Sequence, residues 1–501
     1  MTERIERAVK LQPDSLQEIA RRGVAIPTYD RASLTTSIVH VGVGGFHRAH
    51  QAMYLNRLLE MGIGRESICG VGVLPSDDHI RDVMSRQGCL YTLVIKHPDG
   101  SLKPQVIGSI TEYLFAPDGP QEVVEKMAAP TTRTVSLTIT EGGYPVDPRT
   151  RAYLAEKAAT LDAAVGWPTG RQSPFVPSAF GLIVEALRRR HERGQAPFTV
   201  MSCDNLAHNG QIARAAVVGY ARGRDPDLAD WIDGEGRFPN SMVDRITPVT
   251  TDGDRAAVET LGIDDEWPVV TEPYVQWVLE DSFTLGRPAW ERAGVQVVDD
   301  VSPWETMKLR LANGGHQALC HLGALAGYTY AHEAAGDPAI GAYLGAYLEE
   351  ALPTLTDAPG LGAETFRDAL LPRWRNAAIA DTLDRIRTDS SDRLPTWLLP
   401  VVEDNLRTGG PIVASSLACA AWAHACQGRT DADEVLPILD HRADLLARLA
   451  AAQLTDPSAF IAESSLFGRL ATDDRFKSAF EGAYATLVDK GARAAAAAFQ
   501  D

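Results

Sequence analysis

Over its first 300 residues the chain alternates short, nearly continuous apolar runs with longer segments whose apolar positions recur at helical spacing. Runs at residues 37–43 (SIVHVGV), 67–74 (SICGVGVL), 90–95, 105–110, 133–140 (RTVSLTIT) and 198–203 (FTVMSC) predict strands, and a last one lies at 295–299. Continuous rather than alternating apolar runs are what strands buried on both faces require. Residues 179–193 and 209–221 carry the helical period on either side of the 198–203 run. Strands interleaved with helices predict an α/β fold, a doubly wound sheet with insertions. After Val301 the pattern turns to alanine- and leucine-rich helices, punctuated by Pro353, Pro359, Pro372, Pro395 and Pro400, as far as a terminal ARAAAAAFQD of high helix propensity. Two domains are expected, residues 1–298 and a mostly α-helical C-terminal domain, 299–501.

The first run ends in a turn through Gly42, Gly44 and Gly45 that leads into FHRAHQAMYLNRLLE. Strand, glycine turn and helix open a Rossmann-type dinucleotide-binding unit, because backbone N–H groups can approach a pyrophosphate only where Cβ atoms do not block them. The turn departs from GxGxxG in that His47 stands at the third glycine position. An acidic residue after the second strand should read the adenosine ribose; the candidates, Asp77 and Asp78, come three or four residues late, and favour NAD over NADP. The 198–203 run delivers Asp204 and Asn205 to a strand's C-terminal end, the edge where open α/β sheets hold ligands. Asp244 and Arg245 lie in a polar stretch, 238–250, whose plain reading is a surface ion pair.

Candidate chemistry is densest at residues 304–327, WETMKLRLANGGHQALCHLGALAG. At 100° per residue on a helix, Lys308, Asn313 and His316 fall at about 0°, 140° and 80°, so all three can face one cleft. The chain has only eight Lys among 48 basic residues, and none other between Lys157 and Lys477. Arg cannot release its proton in a protein, whereas a desolvated Lys can be tuned to about pKa 7 to 8. A solitary Lys therefore points to a need for deprotonation.

Composition excludes other classes. A 45% hydrophobic and 23% charged chain is ordinary globular material, and a net charge of −18 argues against nucleic acid or an anionic membrane as the main partner. The N-terminal stretch lacks the apolar core of a signal peptide, no run suits a membrane span, and six Cys without a CxxC pair fit a reduced, cytoplasmic protein. No HExxH or Cys/His cluster with zinc spacing occurs, so no metal is expected. The acidic surface and the lack of a heptad seam fit a monomer.

Seven segments in order, VHVGVGGFHRAHQAMYL, LTITEGGY, MSCDNLAHNG, FPNSMVDRITP, EPYVQWVLEDSF, KLRLANGGHQAL and RWRNAAIADTLDRIRTDSSDRLPTWLLP, resemble the polyol-specific long-chain dehydrogenase/reductase family over nearly the whole chain. The resemblance implies metal-independent interconversion of D-mannitol and D-fructose with NAD, in a cleft between the two domains. It assigns Lys308 as general acid/base, Asn205 and Asn313 as the pair holding the reacting oxygen, Asp244 as a polar group near the reacting centre, and Glu305 as a proton relay. Substrate contacts fall to His316, Arg385 and Arg393, the last standing where a lysine is expected. The cofactor takes Gly42, Gly44, Gly45, Phe46, His47, Arg48, Asp77, Asp78 and Glu141. Rival readings are a fructuronate or tagaturonate reductase, in which the two arginines would grip a carboxylate, a D-arabinitol or sorbitol dehydrogenase, and a non-catalytic NAD or sugar sensor.

Overall fold

The apolar runs of the first half assemble into one parallel sheet. In the computed structural model, which describes residues 8–147, 150–165, 176–355 and 362–500, its strands are β1 (Thr35–Val41), β2 (Glu66–Gly72), β3 (Ile110–Phe115), β4 (Thr134–Leu137) and β5 (Thr199–Ser202). They lie in the order β3-β2-β1-β4-β5, and every neighbouring pair is parallel. This is the doubly wound order, and it reverses between β1 and β4, so the ligand crevice belongs outside the carboxyl ends of those two strands.

Alternate side chains feed two cores. Val39, Val41, Val71, Val135 and Leu137 pack on one face beneath helices Ala179–Glu192 and Asn209–Arg222; Ile38 and Ile68 pack on the other with Met53, Leu55 and Trp277. The run at 105–110 is not one strand. Leu102–Ile107 pairs antiparallel with Tyr91–Lys96 in a separate small sheet, the chain turns at Gly108 and Ser109, and Ile110–Phe115 becomes the edge strand β3. A third sheet joins Gln276–Glu280 antiparallel to Ser241–Asp244 and parallel to Gln296–Val298. These elements form the first of two compact units, Met1–Val301.

The second unit is Ser302–Asp501. Its axis is the helix Gly314–Leu325, buried at every position except His316. A helix apolar on all sides has to lie inside its unit, and this one packs against Val413–Ala425, Pro338–Ala351 and Leu383–Arg387. Pro353 and Pro400 stand in the first turns of Leu352–Thr354 and Leu399–Thr408, whereas Pro359 lies outside the described residues. Pro372 and Pro395 do not break their helices; each sits two residues before the end, inside Ala363–Trp374 and Ser390–Trp397. Buried Phe366, Leu370 and Trp374 hold the first of these past the missing N–H. Among the described residues no helix is long and apolar enough to cross a membrane.

Candidate active site

Beyond β1 the chain turns at Gly42 with φ +92°, and a Cβ there would stand 2.1 Å from the Thr138 carbonyl oxygen at the end of β4. Only glycine lets these two strand ends close up. Thr138 Oγ1 donates to Gly42 O at 2.6 Å and shares a 2.9 Å bond with His40 Nε2, while His40 Nδ1 meets Ser136 Oγ at 2.8 Å. Burial drives His40 down to about pKa 3, so it supports the turn as a neutral ring. Beside the turn opens a cavity of about 370 Å³, lined by Gly42, Gly44, Asp77, Thr138, Thr140 and Gly143 among others. It occupies the crevice that the strand order selects.

The candidate cofactor residues divide at this cavity. Asp77 lines it; its Oδ2 accepts from Val73 N and Leu74 N at 2.9 and 3.0 Å, while Oδ1 has no hydrogen bond among the described residues. Asp78 is exposed, turned to its neighbour's amide, and does not line the cavity. Glu141 is likewise exposed. Phe46 stacks on His50 at 4.8 Å. The His47 ring lies 3.4 Å from His40, fully buried with neither nitrogen bonded among the described residues; burial, then the neighbouring His40, hold it well below the usual histidine value. Arg48 is 2% exposed, sits 3.4 Å over the Trp267 ring and donates to Trp267 O and Gly44 O. Histidine and arginine in a phosphate-binding turn suggest ligand contacts, but here Trp267 and His40 draw both side chains into the core.

Beyond β5, buried Asp204 fastens the loop after β4. Its carboxylate accepts from Ile139 N at 3.1 Å, Thr140 N at 2.8 Å and Tyr144 Oη at 2.6 Å. Thr140 has φ +64° and ψ 165°, a conformation that costs a β-branched residue about 1–3 kcal/mol and persists only when its surroundings impose it. The half-buried Asn205 follows Asp204 directly.

Burial raises the Asp204 carboxyl from 3.8 to about 6, against the three bonds that lower it. The native state thus holds a proton that the unfolded chain releases at lower pH, and this group's contribution, full below pH 3.8, is lost as the pH rises through 6. Asp204→Asn cannot ionise. Its Tm relative to the parent should therefore improve from pH 4 to pH 7, by up to about 3 kcal/mol in stability; parallel Tm curves would contradict this account.

The 238–250 stretch is not a surface pair. Asp244 ends the strand Ser241–Asp244 and is buried, as is Arg245, whose guanidinium donates to Glu272 O at 3.0 and 3.2 Å and to Ala49 O at 2.5 Å. Asn209 ties this strand to the turn after β5 through Ser241 O at 2.7 Å and Asp204 O at 3.0 Å.

In the second unit the helical spacing differs from the expected 100° steps. The chain is α-helical over Ser302–Met307, becomes a π-helix over Lys308–Asn313, and resumes as α-helix at Gly314. In a π turn the backbone bonds span five residues, which narrows the angle between Lys308 and Asn313 from about 140° to roughly 50° and puts both on one side of the helix. Single π turns are frequent at functional sites. Glu305, Lys308 and Asn313 are each no more than 8% exposed, and the Asn313 amide nitrogen has no partner among the described residues. His316, half-buried, lies 5.2 Å from the Trp374 ring.

Arg385 is exposed, and Asp381 fills its fork: Nε to Oδ1 at 2.6 Å and Nη2 to Oδ2 at 2.5 Å. Arg393 Nη1 donates to the carbonyls of Arg385 and Ile386 at 3.2 and 3.1 Å, which caps the short helix Leu383–Arg387, and its guanidinium lies 5.7 Å from the Trp397 ring.

Residues 36–292 match the mannitol dehydrogenase Rossmann domain and residues 300–488 the mannitol dehydrogenase C-terminal domain. The chain belongs to the mannitol dehydrogenase family. Within this family it is 42% identical over 482 residues to a mannitol 2-dehydrogenase of Neosartorya fischeri, covering 93% of this chain and 94% of that protein. The Pseudomonas fluorescens mannitol 2-dehydrogenase ternary complex with NAD and D-mannitol is 39% identical, with a TM-score of 0.86 over 98% of this chain and 99% of that one. A D-sorbitol dehydrogenase in substrate-free form is 36% identical, with a TM-score of 0.85 over 94% and 97%. Mannitol dehydrogenase family membership thus covers both units.

Proposed function

We propose that this chain is an NAD-dependent polyol dehydrogenase that oxidises D-mannitol to D-fructose and runs the reverse reduction. The observation that carries the reading is a buried lysine and a buried amide, its nitrogen without a partner among the described residues, on one π turn in a mannitol dehydrogenase chain. Neutral Lys308 removes the proton of a secondary hydroxyl, and protonated Lys308 returns it in reduction. The side-chain amides of Asn205 and Asn313 hold the developing alkoxide, and such donors are typically worth about 3 kcal/mol each. Glu305, one helical turn before Lys308, exchanges its proton with solvent, and Asp244 adds a polar group beside the reacting carbon. His316, Arg385 and Arg393 meet the remaining hydroxyls.

The residues fit the dinucleotide. Gly44 leaves open space at the cavity that a Cβ would enter, and Asp77 lines the same cavity with a carboxylate able to accept from a ribose hydroxyl. When bound, NAD supplies the hydride acceptor. The one group of side chains among the described residues that could share a metal ion, Asp389, Asp440 and His441, includes none of the proposed catalytic residues.

A sugar-acid reductase is disfavoured because Asp381 already occupies the Arg385 fork that would hold a carboxylate. D-Sorbitol is the second substrate to try, given the similarity to a sorbitol dehydrogenase. The reading is tested by NADH absorbance with D-mannitol, D-sorbitol, D-arabinitol and D-mannonate, each with NAD and NADP. The expected order places D-mannitol first and NAD above NADP, with Asp77→Ala narrowing the cofactor preference. Faster turnover of D-mannonate would reassign Arg385, and a preference for NADP would remove Asp77 as the ribose reader.

A further inference from the structure

The π turn has to be held by something, since the same residues in α-helical register would recover ordinary backbone bonding. In an α-helix the Gly314 N–H would bond Arg310 O; here it reaches Leu309 O and Leu311 O instead. Arg310 O is met by the hydroxyl of Tyr347, which donates to it at 2.8 Å from the neighbouring helix Pro338–Ala351. Tyr347 is fully buried. Its hydroxyl also needs the glycine: a Cβ at Gly314 would stand 2.1 Å from Tyr347 Oη. On the other side the Arg310 guanidinium is pinned to Thr354 O at 2.6 Å and to Asp404 at 2.7 Å.

We propose that Tyr347 is a positioning residue whose hydroxyl locks the π turn and so sets Lys308 and Asn313 on one side of the helix. This inference rests on the proposed roles of those two residues. Without the hydroxyl, Arg310 O is free to recapture Gly314 N–H, and the turn relaxes toward an α register in which Lys308 and Asn313 diverge by about 140°. The amine and the amide then no longer reach one oxygen together. A misplacement of about 1 Å in a reacting group can cost about 100-fold in rate.

The test is Tyr347→Phe in the full-length enzyme, read by kcat, the pH profile of kcat/KM with D-mannitol, and the Kd of NAD. The expected result is a fall in kcat of about 10- to 100-fold and a displaced acidic limb of the pH profile, where the amine becomes protonated, with NAD affinity within about twofold of the parent. Gly314→Ala, which forces the phenol away, should reproduce the kcat loss. The double variant, in which no hydroxyl is left to clash, should be no worse than Tyr347→Phe. An unchanged kcat and pH profile in Tyr347→Phe overturns the proposal, as does a loss that tracks Tm and NAD affinity with the pH profile intact. Lys308→Ala separates the two levels. If it is inactive while Tyr347→Phe is normal, only the lock fails; if it is active, the reading beneath fails.

Discussion

Lys308→Ala is expected to lower kcat by about 1,000-fold or more, within the range that a positioned acid/base contributes, while the Kd of NAD changes by less than about threefold. The asymmetry follows from where the groups lie: the glycine turn and Asp77 belong to the first unit, Lys308 to the second. Lys308→Arg separates charge from proton transfer. A guanidinium keeps the positive charge but does not deprotonate, so if the amine works as a base, Arg should be nearly as inactive as Ala. If instead Lys308 only attracts a hydroxyl electrostatically, Arg should recover a large part of the rate. Steady-state turnover of the three proteins, with NAD binding followed by fluorescence titration, decides between these outcomes, and near-normal turnover of Lys308→Ala would remove the assignment altogether.

Strands β1, β2, β4 and β5 were legible because burial on both faces writes them as unbroken apolar runs. Strand β3 was not. As an edge strand it carries half-buried Thr111 and Glu112, the latter paired with Lys126 at 2.6 Å, and it follows Leu102–Ile107 with only Gly108 and Ser109 between. The lone lysine and the asparagine five residues later could be found from residue type and spacing. That five residues make a π turn depends on Tyr347, 37 residues further along the chain. The inward rotation of Arg48 depends in the same way on Trp267, 219 residues away. Residue type therefore marked where chemistry gathers, and tertiary neighbours decided which side chains face it.

The glycine turn gives the second large effect. Gly42→Ala should reduce both stability and NAD affinity, because the new Cβ meets two penalties at once: a φ of +92°, and Thr138 O at 2.1 Å. The backbone penalty alone is about 1–2 kcal/mol. The overlap is with a backbone atom, so it can be relieved only by moving the ends of β1 and β4 apart, which breaks the bond from Thr138 Oγ1 to Gly42 O. A total of about 3 kcal/mol corresponds to a Tm fall of about 5 °C in a unit of this size, and NAD affinity should drop at least about 100-fold. Gly44→Ala is the contrast. Gly44 has φ −104°, the nearest atom to its Cβ would be Gly42 O at 3.9 Å, and the residue lines the cavity. Its variant should keep the parental Tm while losing NAD affinity, since the methyl group enters only the space the dinucleotide needs. Calorimetry and NAD titration on both variants separate a turn that holds the sheet together from one that leaves room for a ligand. Equal Tm losses at the two positions would show that the Gly42 contact with Thr138 is not what the fold depends on.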